Sequence, residues 1–200
     1  MSEVKRFVRE KCALVLIDHQ IGTMQLVKNI PSDSSLRNAV LLAKAAKTMG
    51  MPIVMTASME DHPQGPLAAE LRQVAPEAYE ARAKRLGIVN AWADPNFKAA
   101  VEATGRKQLV MAGVTTDICL VFPAIDAVEA GFEVAAALDA SGSSFEIQED
   151  MARRRMERAG VFLTTTNSII AELVQNWATP AGGALVPYLL ATSPIIAPIK

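Results

Sequence analysis

Cysteine is scarce in this chain: Cys12 and Cys119 are the only two, far apart in a sequence of 200 residues. A disulfide framework is therefore excluded, and with two histidines no zinc-finger spacing can be assembled. Charge of one sign is also missing. The 20 Lys and Arg nearly cancel the 21 Asp and Glu, for a net charge of -1. Neither a basic nucleic-acid surface nor an acidic tail is present. Unbroken apolar runs reach only about six residues, as in Cys12–Ile17, against the ~20 that span a bilayer. The opening MSEVKRFVREK mixes charged with apolar residues and has no signal-peptide core. GxGxxG and GxxxxGKS/T are both absent, so the two common phosphate cradles are missing. What is present is a chain 50% apolar and 20% charged. A chain of this size buries roughly 70% of its unfolded surface, enough for a core without staples. The expectation is a soluble, cytoplasmic globular protein with no membrane or nucleic-acid partner.

Short apolar runs alternate with helical patterns. Cys12–Ile17 (CALVLI) is continuous and rich in Val, Leu and Ile, as a strand buried on both faces requires. Leu36, Val40, Ala43 and Lys47 follow at helical spacing, and Gly50 stops them. Further strands are predicted at residues 52–56, 108–112, 133–138 and 161–164. Helices are predicted from Asp94-Pro95 to Gly105, from Ile118 to Gly131, and at residues 145–159 and 167–177. This rhythm predicts an open, mostly parallel α/β sheet. A sixth strand is needed within residues 78–89. A Pro- and Gly-rich loop is expected through Pro63, Gly65 and Pro66. Composition shifts after Trp177. Residues 178–200 are rich in Pro and apolar side chains and nearly free of charge. They read either as a loose tail or as an arm on another subunit. The apolar Leu185, Val186, Leu189, Leu190, Ile195 and Ile196 favour the arm, because water gives them no reason to be there. The domain proper is then residues 1–177. This tail shows no helix or strand pattern that would let it cover its own subunit.

In open α/β sheets ligands sit at the carboxyl ends of strands, near the switch in strand order. Asp18-His19-Gln20 follows the first strand, and Gly113 to Cys119 follows the fourth. In a 3-2-1-4-5-6 order these strands are neighbours, and Asp18 and Cys119 face one crevice. Cys119 falls in the first turn of a helix, where free N–H groups and the dipole favour a thiolate and an oxyanion. The plainer reading is a cysteine filling core space. Cys12 begins a buried strand and is expected to be inert. Asp18 is either a turn residue or the base that takes the thiol proton. His19 reads as structural. Arg82, Lys84 and Arg85 form a basic cluster that is either solvated or sends one cation to the crevice. Asp61-His62 is too small a set for a metal, and Ser141-Gly142-Ser143-Ser144 reads as a turn.

The segments ALVLIDHQ, the basic cluster before NAW, and GVTTDICLVFPAIDAVEAGFEV together resemble the isochorismatase-like cysteine hydrolase superfamily, and within it the YcaC-type branch. The resemblance runs from about Cys12 to Trp177 and is most specific around Cys119. It implies a six-stranded, doubly wound parallel sheet with helices on both faces, a Rossmann-like three-layer sandwich. It also implies an Asp–Lys/Arg–Cys triad, here Asp18, Cys119 and either Arg85 or Lys84. Counting back from Trp92 favours Arg85, while Lys84 would restore the lysine common elsewhere. The resemblance further implies a cis peptide between Val114 and Thr115, and an oxyanion hole from the N–H groups of Thr115 and Cys119. Nicotinamidases of the superfamily carry an Asp-x-His metal site that Asp61-His62 does not match, so no metal and no cofactor are expected. The implied activity is hydrolysis of a small amide or related acyl compound through a thioester, in a homo-oligomer that the resemblance suggests is an octamer. The reading from another class is a non-catalytic or redox-responsive oligomer whose Cys119 senses oxidants.

Overall fold

The computed structural model describes residues 6–192. Six parallel strands form one sheet in the order β3-β2-β1-β4-β5-β6. They are β1 (Cys12–Ile17), β2 (Ile53–Ser58), β3 (Ala83–Arg85), β4 (Gln108–Gly113), β5 (Glu133–Ala137) and β6 (Phe162–Thr164). All six residues of β1 and of β4 are buried. Both strands lie at the centre of a covered sheet, which explains why they read as unbroken apolar runs. The predicted sixth strand falls inside the expected window, as the short edge strand β3.

Alternate residues of the central strands serve two cores. Leu14, Leu16, Met55 and Val110 pack beneath α1 (Ser32–Thr48) and α7 (Thr166–Val174). Ala13, Val15, Ile17 and Met111 pack against α4 (Pro95–Ala103), α5 (Val121–Glu129) and α6 (Glu146–Arg158). Asp94 caps α4 by accepting from the N–H groups of Asn96 and Phe97, both at 3.0 Å, with Pro95 at the first helical position. The helix sought after Gly113 begins with a wide π turn over Thr116–Leu120, in which the Leu120 N–H reaches the Thr115 carbonyl at 3.2 Å. Such turns recur at functional sites.

Two expectations need correction. Two short helices, α2 (Ala69–Val74) and α3 (Pro76–Glu80), follow the Pro- and Gly-rich loop, where no helix was predicted. The segment after Trp177 is helical over α8 (Pro180–Thr192), despite Gly182, Gly183 and Pro187. Leu185 is fully buried and belongs with Leu42 and Ala45 of α1 to one core, and Leu189 packs against it. Within its described part the tail therefore covers its own subunit. Ile195 and Ile196 lie outside the described residues. Among the described residues no helix is long and apolar enough to cross a membrane.

Candidate active site

The carboxyl ends of β1 and β4 are neighbours, with Ile17 paired to Gly113. Gly113 keeps the packing there loose enough, because a Cβ at that position would lie 3.2 Å from the Ile17 Cβ and 3.3 Å from that of Leu120, a tight fit. The next residue along the first strand, Asp18, takes a left-handed conformation with φ of 58°. Aspartate tolerates this better than most side chains. Asp18 is 2% exposed and its carboxylate accepts from the Arg85 Nη2, which reaches both oxygens. Arg85 is itself 1% exposed. Its Nε donates to the Thr56 Oγ1 at 3.0 Å, and its Nη1 to the carbonyls of Ile88 at 2.5 Å and Val89 at 3.3 Å. Thr56 in turn donates its hydroxyl to the Ala83 carbonyl at 2.8 Å.

Register places the two candidate cations on opposite faces of β3. Ser58 pairs with Arg85 and Thr56 with Ala83, so Ala83 and Arg85 share the buried face of β3. Lys84 lies on the opposite, exposed face and pairs with Glu60 at 3.5 Å. Lys84 does not reach Asp18, and Arg82 is held by the same Glu60 at 2.6 Å.

Cys119 comes from the π turn and lines one cleft with Asp18, Arg85 and Thr115. The turn does not leave a resting thiolate, contrary to the expectation from a helix start. Burial, then the adjacent Asp18 charge, push the thiol well above its ordinary range, against the smaller pull of Arg85 and the Thr115 N–H. Burial also pushes the Asp18 carboxyl up, and Arg85 and the thiol only partly offset it. Both groups therefore hold a proton more tightly than they would in water.

The Val114–Thr115 peptide bond is cis. The two N–H groups expected to form an oxyanion hole differ. The Thr115 backbone acts on the sulfur, lowering the thiol's proton affinity. The Cys119 N–H is taken up by the Thr115 carbonyl at 2.8 Å, so it is not a free donor in this structure.

A cleft of about 620 Å³ opens over these groups, lined by Asp18, Arg85, Thr115 and Cys119 and walled by the loop after β2 through Met59, His62, Pro63 and Gln64. Gln20, fully buried, ties that loop to the end of β1. Its amide accepts from the Ser58 N–H at 2.8 Å and donates to the carbonyls of Ser58, at 2.8 Å, and Gly65. Sequence reading missed the roles of Gln20 and Thr56. Gln20 lies just past the carboxyl end of β1 and Thr56 near that of β2, close to the signal that picked out Asp18. His19 is fully buried, and its Nε2 meets the Ala140 carbonyl at 2.8 Å. Asp61 and His62 are exposed, and among the described residues no three His, Cys, Asp or Glu side chains gather as a metal set. Cys12 is buried in β1, its thiol pushed up to about 12 by burial.

The isochorismatase domain model matches residues 12–168. The chain belongs to the isochorismatase family of hydrolases. Residues 12–168 hold Asp18, Arg85, Thr115 and Cys119. The chain is 40% identical over 179 residues to "Probable hydrolase YcaC" of Escherichia coli, covering 89% of this chain and 85% of that one. A structure of YcaC from Pseudomonas aeruginosa with hexane-2,5-diol and covalent acrylamide superposes at a TM-score of 0.90 and 37% identity, over 96% of each chain. The crystal structure of the Escherichia coli protein, described as an octameric hydrolase of unknown specificity, gives 0.90 at 38% identity, covering 96% of this chain and 92% of that one.

Proposed function

We propose that this chain is a cysteine hydrolase that cleaves the C–N bond of a small amide or related acyl compound through a thioester on Cys119. The observation that carries the reading is one arrangement of three groups: a thiol against a buried carboxylate that is itself held by a buried guanidinium. The raised thiol and raised carboxyl suit a proton transfer that happens only when substrate arrives. Asp18 takes the Sγ proton as sulfur attacks the carbonyl carbon, and the C=O electrons move onto oxygen. The Thr115 N–H donates to that oxyanion. The C=O bond re-forms and the C–N bond breaks, the nitrogen leaving with the proton from Asp18. Water then attacks the thioester, giving its proton to Asp18. The C–S bond breaks, the acid departs, and the proton returns to sulfur. Arg85 holds the carboxylate in line and balances its charge.

A redox sensor depends on an accessible thiolate, and burial drives Cys119 the other way. Acrylamide, held covalently in the Pseudomonas relative, is an amide-bearing electrophile of the kind a nucleophilic site captures. We further infer a homo-oligomer, as the Escherichia coli relative is described. Ammonia or amine release from a panel of small amides, carbamates and nicotinamide tests the activity. Asp18→Asn should slow a turned-over member roughly 10²–10⁴-fold, the worth of a positioned base. No turnover by the unaltered protein, or full turnover by Asp18→Asn, would contradict the mechanism.

A further inference from the structure

The charge inventory of the cleft limits what can enter it. Two of its lining groups, Asp18 and Arg85, form a buried ion pair, and each is spent on the protein. Arg85 commits Nε, Nη1 and Nη2 to Thr56, Ile88, Val89 and Asp18. No part of its fork is left to receive a substrate carboxylate. The Asp18 carboxylate faces Arg85 and Cys119, so it has no place for a substrate cation. Among the described residues the other titratable wall groups are Cys119 and His62, and His62 is exposed at the loop. Among the described residues the rest of the wall is neutral, with polar Gln20, Thr23 and Gln64 and apolar Leu26, Val89 and Ile118. A charged substituent drawn into such a site would lose water and meet no free opposite charge.

We propose that the substrate is an uncharged small amide or carbamate whose acyl or leaving group is aliphatic, and that anionic substrates are excluded. This names the substrate class for the hydrolase reading above and rests on it. It separates this protein from chemistry on a dicarboxylate such as isochorismate, from which the family takes its name. Leu26, Val89 and Ile118 are each about half exposed at the cleft, and an aliphatic group would cover them.

The test has two arms. In the first, Cys119 is alkylated with iodoacetamide and with iodoacetate, and the ratio of rates is compared with that for glutathione. The two reagents differ by a charge. The neutral reagent should be favoured at Cys119 by about tenfold or more beyond the glutathione ratio, since a carboxylate in the cleft goes unpaired. Leu26→Lys, which places a cation on the wall, should narrow the gap. In the second arm, ammonia release is compared for 4-methylpentanamide, its carboxylate isostere succinamate, and the cationic 4-aminobutyramide. The uncharged amide should be hydrolysed fastest. A glutathione-like ratio at Cys119, or succinamate turned over as fast as 4-methylpentanamide, would overturn the proposal. If the alkylation preference holds while no amide is hydrolysed, the charge exclusion stands and the hydrolase reading falls.

Discussion

Replacing Arg85 by Met removes the cation and keeps most of the apolar stem. The Asp18 carboxylate, 2% exposed, then loses the partner of both its oxygens. The Thr56 hydroxyl and the carbonyls of Ile88 and Val89 lose a donor as well. Removing one member of a buried pair costs about 3–5 kcal/mol. Asp18 avoids part of that cost by keeping its proton, so the size of the loss depends on pH. The carboxyl already sits above its ordinary 3.8 because of burial, and without Arg85 it moves higher. The folded protein then holds a proton that the unfolded chain gives up near 3.8. Stability therefore falls as pH rises from that value through the raised one. The deficit of Arg85→Met against the unaltered protein should be larger at pH 8 than at pH 5. Thermal unfolding at fixed protein concentration reads it, and amide turnover should be lost at both pH values. A variant within about 0.5 kcal/mol of the unaltered protein, the range of an unremarkable surface change, would refute the buried pair. So would a deficit that does not change with pH.

His19 gives a second pH signature: burial pulls its ring down from 6.5 to about 4. The folded protein binds fewer protons in that window, so stability present above 6.5 drains away as pH falls toward 4, by about 3 kcal/mol in full. Urea midpoints should trace this loss, and His19→Gln should flatten it; an unchanged slope refutes the assignment. Brief iodoacetamide labelling, read by peptide mass, should modify Cys119 in the cleft far faster than Cys12 in β1; equal rates would contradict the placement. Leu185→Ala should cost about 2–5 kcal/mol, because that side chain is fully buried between α8 and α1; an unchanged melting temperature would show that α8 does not pack there. Turnover should survive exhaustive chelation, and loss with EDTA restored by zinc or iron would implicate Asp61 and His62.

The parts of the site that lie on the two central strands were legible because burial on both faces leaves an unmistakable apolar run. CALVLI placed Asp18 at a strand end, and QLVMA led to the Cys119 segment. The preference for Arg85 over Lys84 came from the resemblance and not from the strand pattern, because one residue of register exchanges the faces of a strand. β3 is only three residues long and carries no apolar alternation to set that register. The state of the thiol was misread for a related reason. A helix start favours a thiolate, yet burial and the Asp18 charge outweigh it, and neither is visible before the chain folds. The π turn, which takes up the Cys119 N–H, likewise left no pattern in TTDICL. α8 escaped notice because Gly182, Gly183 and Pro187 are poor helix formers; packing of Leu185 on α1 overrides them.

Acid quenching of the protein during turnover of an uncharged amide, followed by mass measurement of its peptides, tests the central claim most directly. The account predicts a peptide containing Cys119 that is heavier by the substrate's acyl group less one hydrogen, and no such species in Asp18→Asn. Continued turnover in Cys119→Ala, or an acyl group carried on any other side chain, would contradict it.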